Sequence, residues 1–212
     1  MNQVYNLFDQ LKFRQEQLEA MRLLYARHFL PQMPPAALYN GKGIIALWGD
    51  MPSSWTPGQG PDRGHGHHAM LLPHVGEDPL WAEYFGDLLP YMNTNATITR
   101  MPAGAEMKPH VDRRERPNAI YFPIEGCTEA CVSECYDLPV SRIGTIAQVV
   151  DYWPQAIARY SITEQAVLTN VHAWHSVRNR SHLTRTAIGW NMKGADMNYE
   201  EHRTILGDLG YL

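Results

Sequence analysis

Residues 108–112 read Lys-Pro-His-Val-Asp, and residues 170–179 read Asn-Val-His-Ala-Trp-His-Ser-Val-Arg-Asn. Both stretches predict short strands, because β-branched and aromatic residues are bounded by turn-forming residues. In an extended segment the side chains of residues i and i+2 lie on one face, so the imidazole of His110 and the carboxylate of Asp112 converge. These two groups are therefore candidate ligands of one metal ion.

The second stretch contains a candidate third ligand. A turn at residues 179–181 predicts a hairpin centred on Arg180, in which His175 and Arg185, each five residues from the centre, lie opposite each other and share a face. The hairpin is thus expected to place a metal ligand beside a cation. His172 is the alternative third ligand, but it has the opposite strand parity.

Two histidines and one carboxylate are typical of non-haem Fe(II) oxygenases, because three protein ligands leave positions for a cosubstrate and oxygen. An arginine beside such a site suits the far carboxylate of a dicarboxylate cosubstrate, since a guanidinium forms two parallel hydrogen bonds with a carboxylate. The pattern therefore indicates an iron site with a neighbouring carboxylate-binding arginine.

The composition is that of one globular domain. Of 212 residues, 44% are hydrophobic and 19% charged, with 16 Gly and 15 Pro, so many turns are expected. The net charge of -4 argues against a nucleic-acid partner, because such proteins need a basic face. No stretch approaches the ~20 apolar residues of a membrane span, and the N-terminus lacks the apolar core of a signal peptide, so a cytoplasmic location is expected.

Hydrophobic periodicity divides the chain into a helical N-terminal third and a β-rich remainder. Helices are predicted over 4–29, as one long helix or two short ones, and over 78–92. A strand is predicted over 43–48, before a Gly- and Pro-rich loop over 50–66. Further strands are predicted over 97–101, 108–112, 118–124, 143–150, 166–170, 175–177 and 184–192. This order favours one α+β domain with a barrel or double-sheet β core.

The sequence resembles the Fe(II)/2-oxoglutarate-dependent oxygenase superfamily. Residues 98–110, Ile-Thr-Arg-Met-Pro-Ala-Gly-Ala-Glu-Met-Lys-Pro-His, are similar to its strand, Pro/Gly turn and first ligand, and residues 166–170 and 175–179 are similar to its second-ligand hairpin. Aspartyl/asparaginyl β-hydroxylase-like and prolyl-hydroxylase-like members are the most similar. The resemblance covers 93–193, about half of the chain. Two positions depart from it: Ala187, where many relatives carry a hydroxyl residue, and Gln165, where a glycine is usual.

The resemblance implies a fold and a domain organisation. The implied fold is α+β, with a double-stranded β-helix (jelly-roll or cupin-like) core over 93–193. Helices of the 1–92 part are expected to pack on that core, and 194–212 is expected to be a C-terminal tail. All three parts belong to one oxygenase domain over 1–212 in this interpretation.

The resemblance also implies a site. His110, Asp112 and His175 are expected to bind Fe(II), and Arg185 to bind the C5 carboxylate of 2-oxoglutarate. A second cosubstrate contact is expected at Tyr121, with Asn118 as the alternative if the strand starts one residue differently. The implied reaction uses O2 to hydroxylate an unactivated C–H bond of a peptidyl or free amino acid.

Two other functions remain open from the residues alone. If the protein is a cupin-like metalloenzyme with the same fold but without 2-oxoglutarate, Arg185 has no role in cosubstrate binding. If it is a non-catalytic β-barrel binding module, the predicted metal ligands and Arg185 have no catalytic role. Titration with iron and then with 2-oxoglutarate separates the three functions.

Several histidines, cysteines and tryptophans have less definite roles. Four histidines lie in or beside the 50–75 loop, and they are interpreted as solvated, as substrate contacts or as a second metal site: His65, His67, His68 and His74. The three cysteines are interpreted as reduced thiols rather than as a metal site, and they lie in a 125–140 insert expected at the substrate mouth: Cys127, Cys131 and Cys135. Three further histidines are treated as ordinary surface or helix residues: His28, His182 and His202. Two tryptophans are assigned to core packing, and a third in the loop to substrate contact: Trp174, Trp190 and Trp55.

Overall fold

The computed structural model describes residues 7–30, 68–72, 77–112, 118–139, 148–194 and 196–212, which form mostly antiparallel β-structure with few helices. The strands are β1 (Phe8–Gln10), β2 (His68–Leu72), β3 (Met92–Met101), β4 (Glu106–Val111), β5 (Ala119–Glu125), β6 (Cys131–Tyr136), β7 (Gln148–Val149), β8 (Ala156–Tyr160), β9 (Val167–Thr169), β10 (Trp174–Asn179) and β11 (Arg185–Met192). The helices are α1 (Gln15–Leu24), which continues as a π-helical turn over Tyr25–Phe29, α2 (Pro79–Phe85) and α3 (Tyr199–Asp208).

The strands form two sheets. The six-stranded sheet has the order β1-β9-β5-β11-β3-β2, and the five-stranded sheet has the order β7-β4-β10-β6-β8. Neighbouring strands are antiparallel in both sheets. The two sheets meet face to face where the Tyr160 hydroxyl of β8 lies 2.8 Å from the Thr169 hydroxyl of β9.

One face of the six-stranded sheet packs on the helices and forms the main hydrophobic core. Ile98, Ile120 and Ile188 belong to that core. The helices contribute apolar residues at helical spacing, namely Leu18, Met21 and Leu24 from α1 and Trp81 and Phe85 from α2. Trp81 lies 4.7 Å from Trp190, which the sequence assigned to core packing.

Alternation along the strands then determines which residues face the other sheet. Ile188 and Trp190 of β11 pack in the helix-covered core, so Arg185 and Gly189 face the five-stranded sheet. By the same parity Tyr121 of β5 faces that side. The space between the sheets is therefore lined by residues that the sequence marked as functional.

The outer face of the five-stranded sheet carries a small hydrophobic cluster, in which Trp174 packs with Val111 and Tyr136, and beside it a group of ion pairs. The buried Glu134 carboxylate on β6 accepts from Arg159 at 2.9 Å and from Arg178 at 2.7 Å, and the Arg178 guanidinium lies 3.5 Å from the ring centre of Trp153. Because Glu134 faces outward, Cys135, the next residue along β6, faces the space between the sheets.

The helix predicted over 4–29 begins later than expected. Residues Phe8–Gln10 form β1 and pair with β9, and Phe8 stacks on Tyr160 at 4.4 Å between ring centres. Their apolar spacing fits a helix, but a free sheet edge provides hydrogen-bond partners that an isolated helical turn does not.

The helix predicted over 78–92 is shorter than expected. It starts as predicted, with Asp78 as N-cap accepting from Leu80 N–H at 3.0 Å, and it ends at Phe85. Pro90 cannot continue an α-helix, and the chain enters β3 at Met92, which pairs with Met192.

Two segments for which the sequence predicts no helix or strand form regular secondary structure. The tail over 194–212 contains α3, which begins with a reciprocal cap between Asn198 and Glu201 and buries Leu206 in the core. The 125–140 insert contains β6, a central strand of the five-stranded sheet, so the cysteines of β6 lie in the sheet rather than at an external mouth.

The predicted hairpin around Arg180 is wrong. His175 lies on β10, which pairs with β4 and β6, and Arg185 lies on β11, which pairs with β3 and β5. The two strands belong to different sheets, because each finds its partners among strands distant in sequence. His175 and Arg185 consequently approach the same space from facing sheets rather than from one wall.

The remaining strand predictions over 97–101, 108–112, 118–124, 166–170, 175–177 and 184–192 correspond to observed strands with shifted ends. The strand over 43–48, the 50–66 loop with Trp55, and His65, His67 and His74 lie outside the described residues, as does most of the 143–150 strand. Among the described residues, no helix combines the length and apolar character that crossing a membrane requires.

Candidate metal centre

Three buried side chains converge at the centre of the five-stranded sheet. His110 on β4 and His175 on β10 are direct cross-strand partners, with ring centres 4.2 Å apart. Asp112 follows β4, where its backbone N–H donates to Val171 at 3.0 Å, and its Oδ1 lies 3.8 Å from His110 Nε2. One potential ligand atom from each residue lies within 4.8 Å of the other two. The structure thus brings together the three residues that the sequence predicts as a metal site.

Hydrogen bonds to the backbone orient both imidazoles. His110 Nδ1 lies 2.7 Å from the carbonyl oxygen of Lys108, and His175 Nδ1 lies 2.9 Å from that of Ala173. Because a carbonyl only accepts, each Nδ1 carries the proton and donates it. The lone pair therefore resides on Nε2 in both rings, which is the arrangement that a metal-binding histidine uses.

The donor set determines which cation suits this centre. Two neutral imidazoles and one carboxylate are suited to Fe(II) and leave further coordination positions open. All three side chains are almost fully buried, so bulk water competes weakly for the same positions. The residues present therefore fit an Fe(II) ion with exchangeable ligands.

Arg185 supplies a buried positive charge on the facing sheet. The residue is 3% exposed, and its Nη1 lies 3.9 Å from the Met101 sulfur. Burial raises the pKa of the Cys131 thiol on β6, and the positive charge of Arg185 opposes that rise. Within the described part of the chain, no carboxylate forms an ion pair with Arg185. A buried guanidinium without such a partner is suited to an anionic ligand.

Tyr121 and Asn118, the two alternatives for the second cosubstrate contact, face opposite sides of β5. Tyr121 lies over Gly189, where an added Cβ would be 2.8 Å from the tyrosine ring, so it shares a face with Arg185. Asn118 points toward α3, and its Nδ2 donates to His202 Nδ1 at 3.0 Å. The geometry favours Tyr121 over Asn118 as a neighbour of Arg185.

Thr99 is a candidate that the sequence analysis missed. It lies opposite Ala187 in the β3–β11 pairing and is buried on the face that carries Arg185. A hydroxyl is therefore present beside Ala187, although β3 contributes it rather than β11. The alternation in residues 97–101 is visible in the sequence, but the register that pairs Thr99 with Ala187 is not.

The chain matches solved structures but no protein-family model and no curated protein. A Pseudomonas putida prolyl-4-hydroxylase is similar with a TM-score of 0.49 and 11% identity, over 88% of this chain and 91% of that one. A 2OG-Fe(II) oxygenase family oxidoreductase from Burkholderia pseudomallei has a TM-score of 0.43 and 13% identity, over 85% of this chain and 79% of that one. A recombinant oxalate oxidase has a TM-score of 0.30 and 15% identity, over 70% of this chain and 61% of that one.

The structural neighbours include 2OG-Fe(II) oxygenases. At these identities and TM-scores the neighbours assign no activity, so the residues of the metal centre have to carry that argument.

Of the other histidines whose side chains the structure describes, none joins the metal centre. His172 is not among the three residues whose potential ligand atoms cluster within 4.8 Å. His28 Nε2 lies 2.6 Å from Asp78, and His182 is exposed. His202, expected to be an ordinary surface or helix residue, lies on α3 and is fully buried there, and its Nε2 donates to the Lys193 carbonyl at 2.8 Å.

The cysteines form no disulfide and are not part of the metal centre. Cys131 and Cys135 are buried and Cys127 is partly buried. Cys135 is the direct cross-strand partner of His175, and burial raises the pKa of its thiol to about 12, so it stays protonated at neutral pH. The strand conformation of β6 also excludes a helical stack of the three sulfurs.

Proposed function

We propose that the protein is an Fe(II)- and 2-oxoglutarate-dependent dioxygenase that hydroxylates an unactivated C–H bond. The observation that carries this proposal is the buried convergence of His110, Asp112 and His175 within 4.8 Å. The buried Arg185 on the facing sheet supports the choice of a dicarboxylate cosubstrate.

Each residue has a defined part in this proposal. Two imidazole Nε2 atoms and the Asp112 carboxylate hold the cation, and the carboxylate offsets part of its charge. Arg185 holds the far carboxylate of 2-oxoglutarate, with Thr99 and Tyr121 on the same face as further contacts. Bound iron together with 2-oxoglutarate and O2 supplies the oxidising power, which side chains alone do not have.

The proposed fold is a double-stranded β-helix within a single domain over 1–212. The path of the chain between the two sheets supports it, since the chain crosses from one sheet to the other at each step from β3 to β6 and again at each step from β8 to β11. Two antiparallel sheets closed in this way are typical of jelly-roll and cupin-like proteins.

The proposed substrate is a peptidyl or free amino acid, as the resemblance implies. A cytoplasmic location and the absence of a nucleic-acid partner remain predictions from composition and charge. Hydroxylation of a panel of free amino acids and short peptides, measured as succinate formed in step with hydroxylated product, tests the substrate class. If neither the free amino acids nor the peptides give a hydroxylated product, the proposed substrate class is contradicted.

Anaerobic spectroscopy tests the cosubstrate. Fe(II) is titrated into the metal-free protein, and 2-oxoglutarate is then added. A weak visible metal-to-ligand charge-transfer band is expected after the second addition. Iron binding without that band supports the cupin-like alternative, and no iron binding supports a non-catalytic binding module. Both outcomes contradict the proposal.

His175→Ala is expected to abolish stoichiometric Fe(II) binding, because it removes one of the two imidazoles that the described residues bring to the cluster. His172→Ala is the matched control, since it removes a histidine three residues away that lies outside the cluster. Equilibrium dialysis with metal analysis measures both variants. If His175→Ala retains Fe(II) binding and His172→Ala loses it, the third ligand is His172 rather than His175.

Arg185→Ala is expected to weaken 2-oxoglutarate binding about 10- to 100-fold, the range that corresponds to loss of a charge-assisted hydrogen-bonded pair worth about 1.5–3 kcal/mol. Fe(II) affinity is expected to stay unchanged, because Arg185 lies on the other sheet. Arg159→Ala, which removes an arginine from the outer face, is the control. The charge-transfer titration measures the affinity, and an unchanged value in Arg185→Ala removes Arg185 from the site.

A further inference from the structure

Asn179, at the end of β10, has a buried amide whose hydrogen bonds are all made within the protein. Its Nδ2 donates to the carbonyls of Met101 at 2.7 Å, Pro102 at 3.0 Å and Leu183 at 2.8 Å. Its Oδ1 accepts from the backbone N–H and the hydroxyl of Ser181 at 3.1 and 2.7 Å. Three carbonyls on one side and two donors on the other fix the orientation of the amide.

The backbone of Asn179 is tied to the same region. Its N–H donates to the Ala105 carbonyl at 2.9 Å, and its own carbonyl accepts from Gly104 N–H at 2.8 Å. The turn between β3 and β4 is therefore joined to the end of β10 through both the main chain and the side chain. Breaking the side-chain part alone leaves these two backbone bonds in place.

The partners of Asn179 surround Arg185. Met101 is the cross-strand partner of Arg185, and its sulfur lies 3.9 Å from the Arg185 Nη1. Leu183 precedes Arg185 by two residues, on the segment that carries the chain from the five-stranded to the six-stranded sheet. One amide thus holds both the strand beside Arg185 and the segment that leads into it.

The same amide is linked to the metal centre. Asn179 lies four residues after His175 on the same strand. Since β10 and β11 do not pair, hydrogen bonding along a ladder does not define the position of Arg185 relative to His175. The Asn179 side chain instead connects β10 to β3 through the Met101 carbonyl and to the segment that leads into β11 through the Leu183 carbonyl.

We propose that Asn179 is a positioning residue that sets the Arg185 guanidinium relative to the metal centre and thereby determines the affinity for the cosubstrate carboxylate. This inference rests on the proposed function. Asn179 itself touches neither the cation nor the cosubstrate in this proposal, so its removal acts through Arg185.

Asn179→Ala tests the inference. We expect 2-oxoglutarate affinity in the anaerobic charge-transfer titration to fall about tenfold, which corresponds to about 1.4 kcal/mol, while Fe(II) affinity stays within about twofold. Asn179→Ser, which keeps one hydroxyl donor, is expected to give an intermediate loss. If the alanine variant does not fold, the 2-oxoglutarate affinity of Asn179→Ser tests the inference in its place.

Asn93→Ala is the matched control. Asn93, like Asn179, donates its side-chain amide to a backbone carbonyl, but its acceptor is Met192 at 3.2 Å, at the end of β11 that is far from Arg185. This variant is expected to lose stability without losing 2-oxoglutarate affinity. An equal loss of affinity in both variants indicates a general stability effect and overturns the inference.

A double-mutant cycle separates positioning from direct binding. If Asn179 acts through Arg185, then Asn179→Ala added to Arg185→Ala causes no further loss of 2-oxoglutarate affinity. A further tenfold loss in the double variant, or a parallel loss of Fe(II) affinity, overturns the inference. Absence of the charge-transfer band in the unsubstituted protein instead contradicts the proposed function, so the two failures are distinguishable.

Discussion

Gly189 is the residue at which one added methyl group disturbs the proposed cosubstrate site. A Cβ at this position would lie 2.8 Å from Cε1 of the Tyr121 ring, closer than such atoms approach each other. The tyrosine ring therefore has to move, and it lies on the face that carries Arg185. Gly189 thus keeps Tyr121 in its place by having no side chain of its own.

Gly189→Ala is expected to raise the apparent KM for 2-oxoglutarate, with overpacking costing about 1–3 kcal/mol of stability. Gly207→Ala is the control, because its new Cβ meets only the Leu212 side chain at 3.7 Å, an ordinary contact on α3. Steady-state kinetics and urea unfolding measure the two effects. An unchanged KM in Gly189→Ala contradicts the placement of Tyr121 at the cosubstrate.

At the scale of elements, α3 is attached to the β core by a neutral buried histidine. Burial lowers the pKa of His202, and its ring accepts from Asn118 and donates to the Lys193 carbonyl. The folded-state pKa lies below the unfolded value of 6.5, so the unfolded chain binds the proton first. The stability from neutral His202 is therefore present above pH 6.5 and is lost as pH falls toward the folded-state pKa.

His202→Gln is expected to flatten the decrease in unfolding free energy between neutral pH and pH 5, because the residue that gains a proton on unfolding is gone. It is also expected to lower stability above pH 7 through loss of the buried contacts. His182→Gln, which changes an exposed histidine, is the control. Urea unfolding of the metal-free proteins across this pH range measures the effect, and identical slopes for His202→Gln and the unsubstituted protein contradict it.

Elements also differ in how well their sequence predicts them. The strand containing His110 is predictable, because apolar alternation and its flanking turn residues are local signals. Residues Phe8–Gln10 carry helix-like spacing yet form β1, since pairing with β9 outweighs a local preference. The helix α3 has a readable signal in the Asn198 and Glu201 cap, which the sequence analysis did not use.

At the scale of the whole molecule, the two sheets contribute separate parts of the proposed site. The metal centre belongs to the five-stranded sheet and Arg185 to the six-stranded sheet. A ligand held by both parts therefore resists separation of the sheets, and binding only to the folded state stabilises that state.

Fe(II) alone is expected to raise Tm under anaerobic conditions, and 2-oxoglutarate is expected to add to that rise only when the metal is present. At a concentration about 100-fold above Kd, each ligand stabilises by about 2.7 kcal/mol, or roughly 5–10 °C for a chain of this size. Asp112→Ala is expected to lose both effects, and Arg185→Ala only the second. Calorimetry measures the shifts, and a full 2-oxoglutarate shift in metal-free protein contradicts the proposed order of binding.

The sequence by itself predicts the ligand set of the candidate metal centre. His110 and Asp112 share a face because strand parity is a local property of consecutive residues. The preference for His175 over His172 also uses the spacing of each histidine to Arg185, ten residues against thirteen. Only the tertiary structure decided how Arg185, Tyr121 and Thr99 relate to that centre, because the sheet and register of each strand depend on partners far along the chain. The predicted hairpin between His175 and Arg185 was wrong for this reason. Spacing within one strand can be read from the residues, but the pairing of strands is set by packing between distant segments.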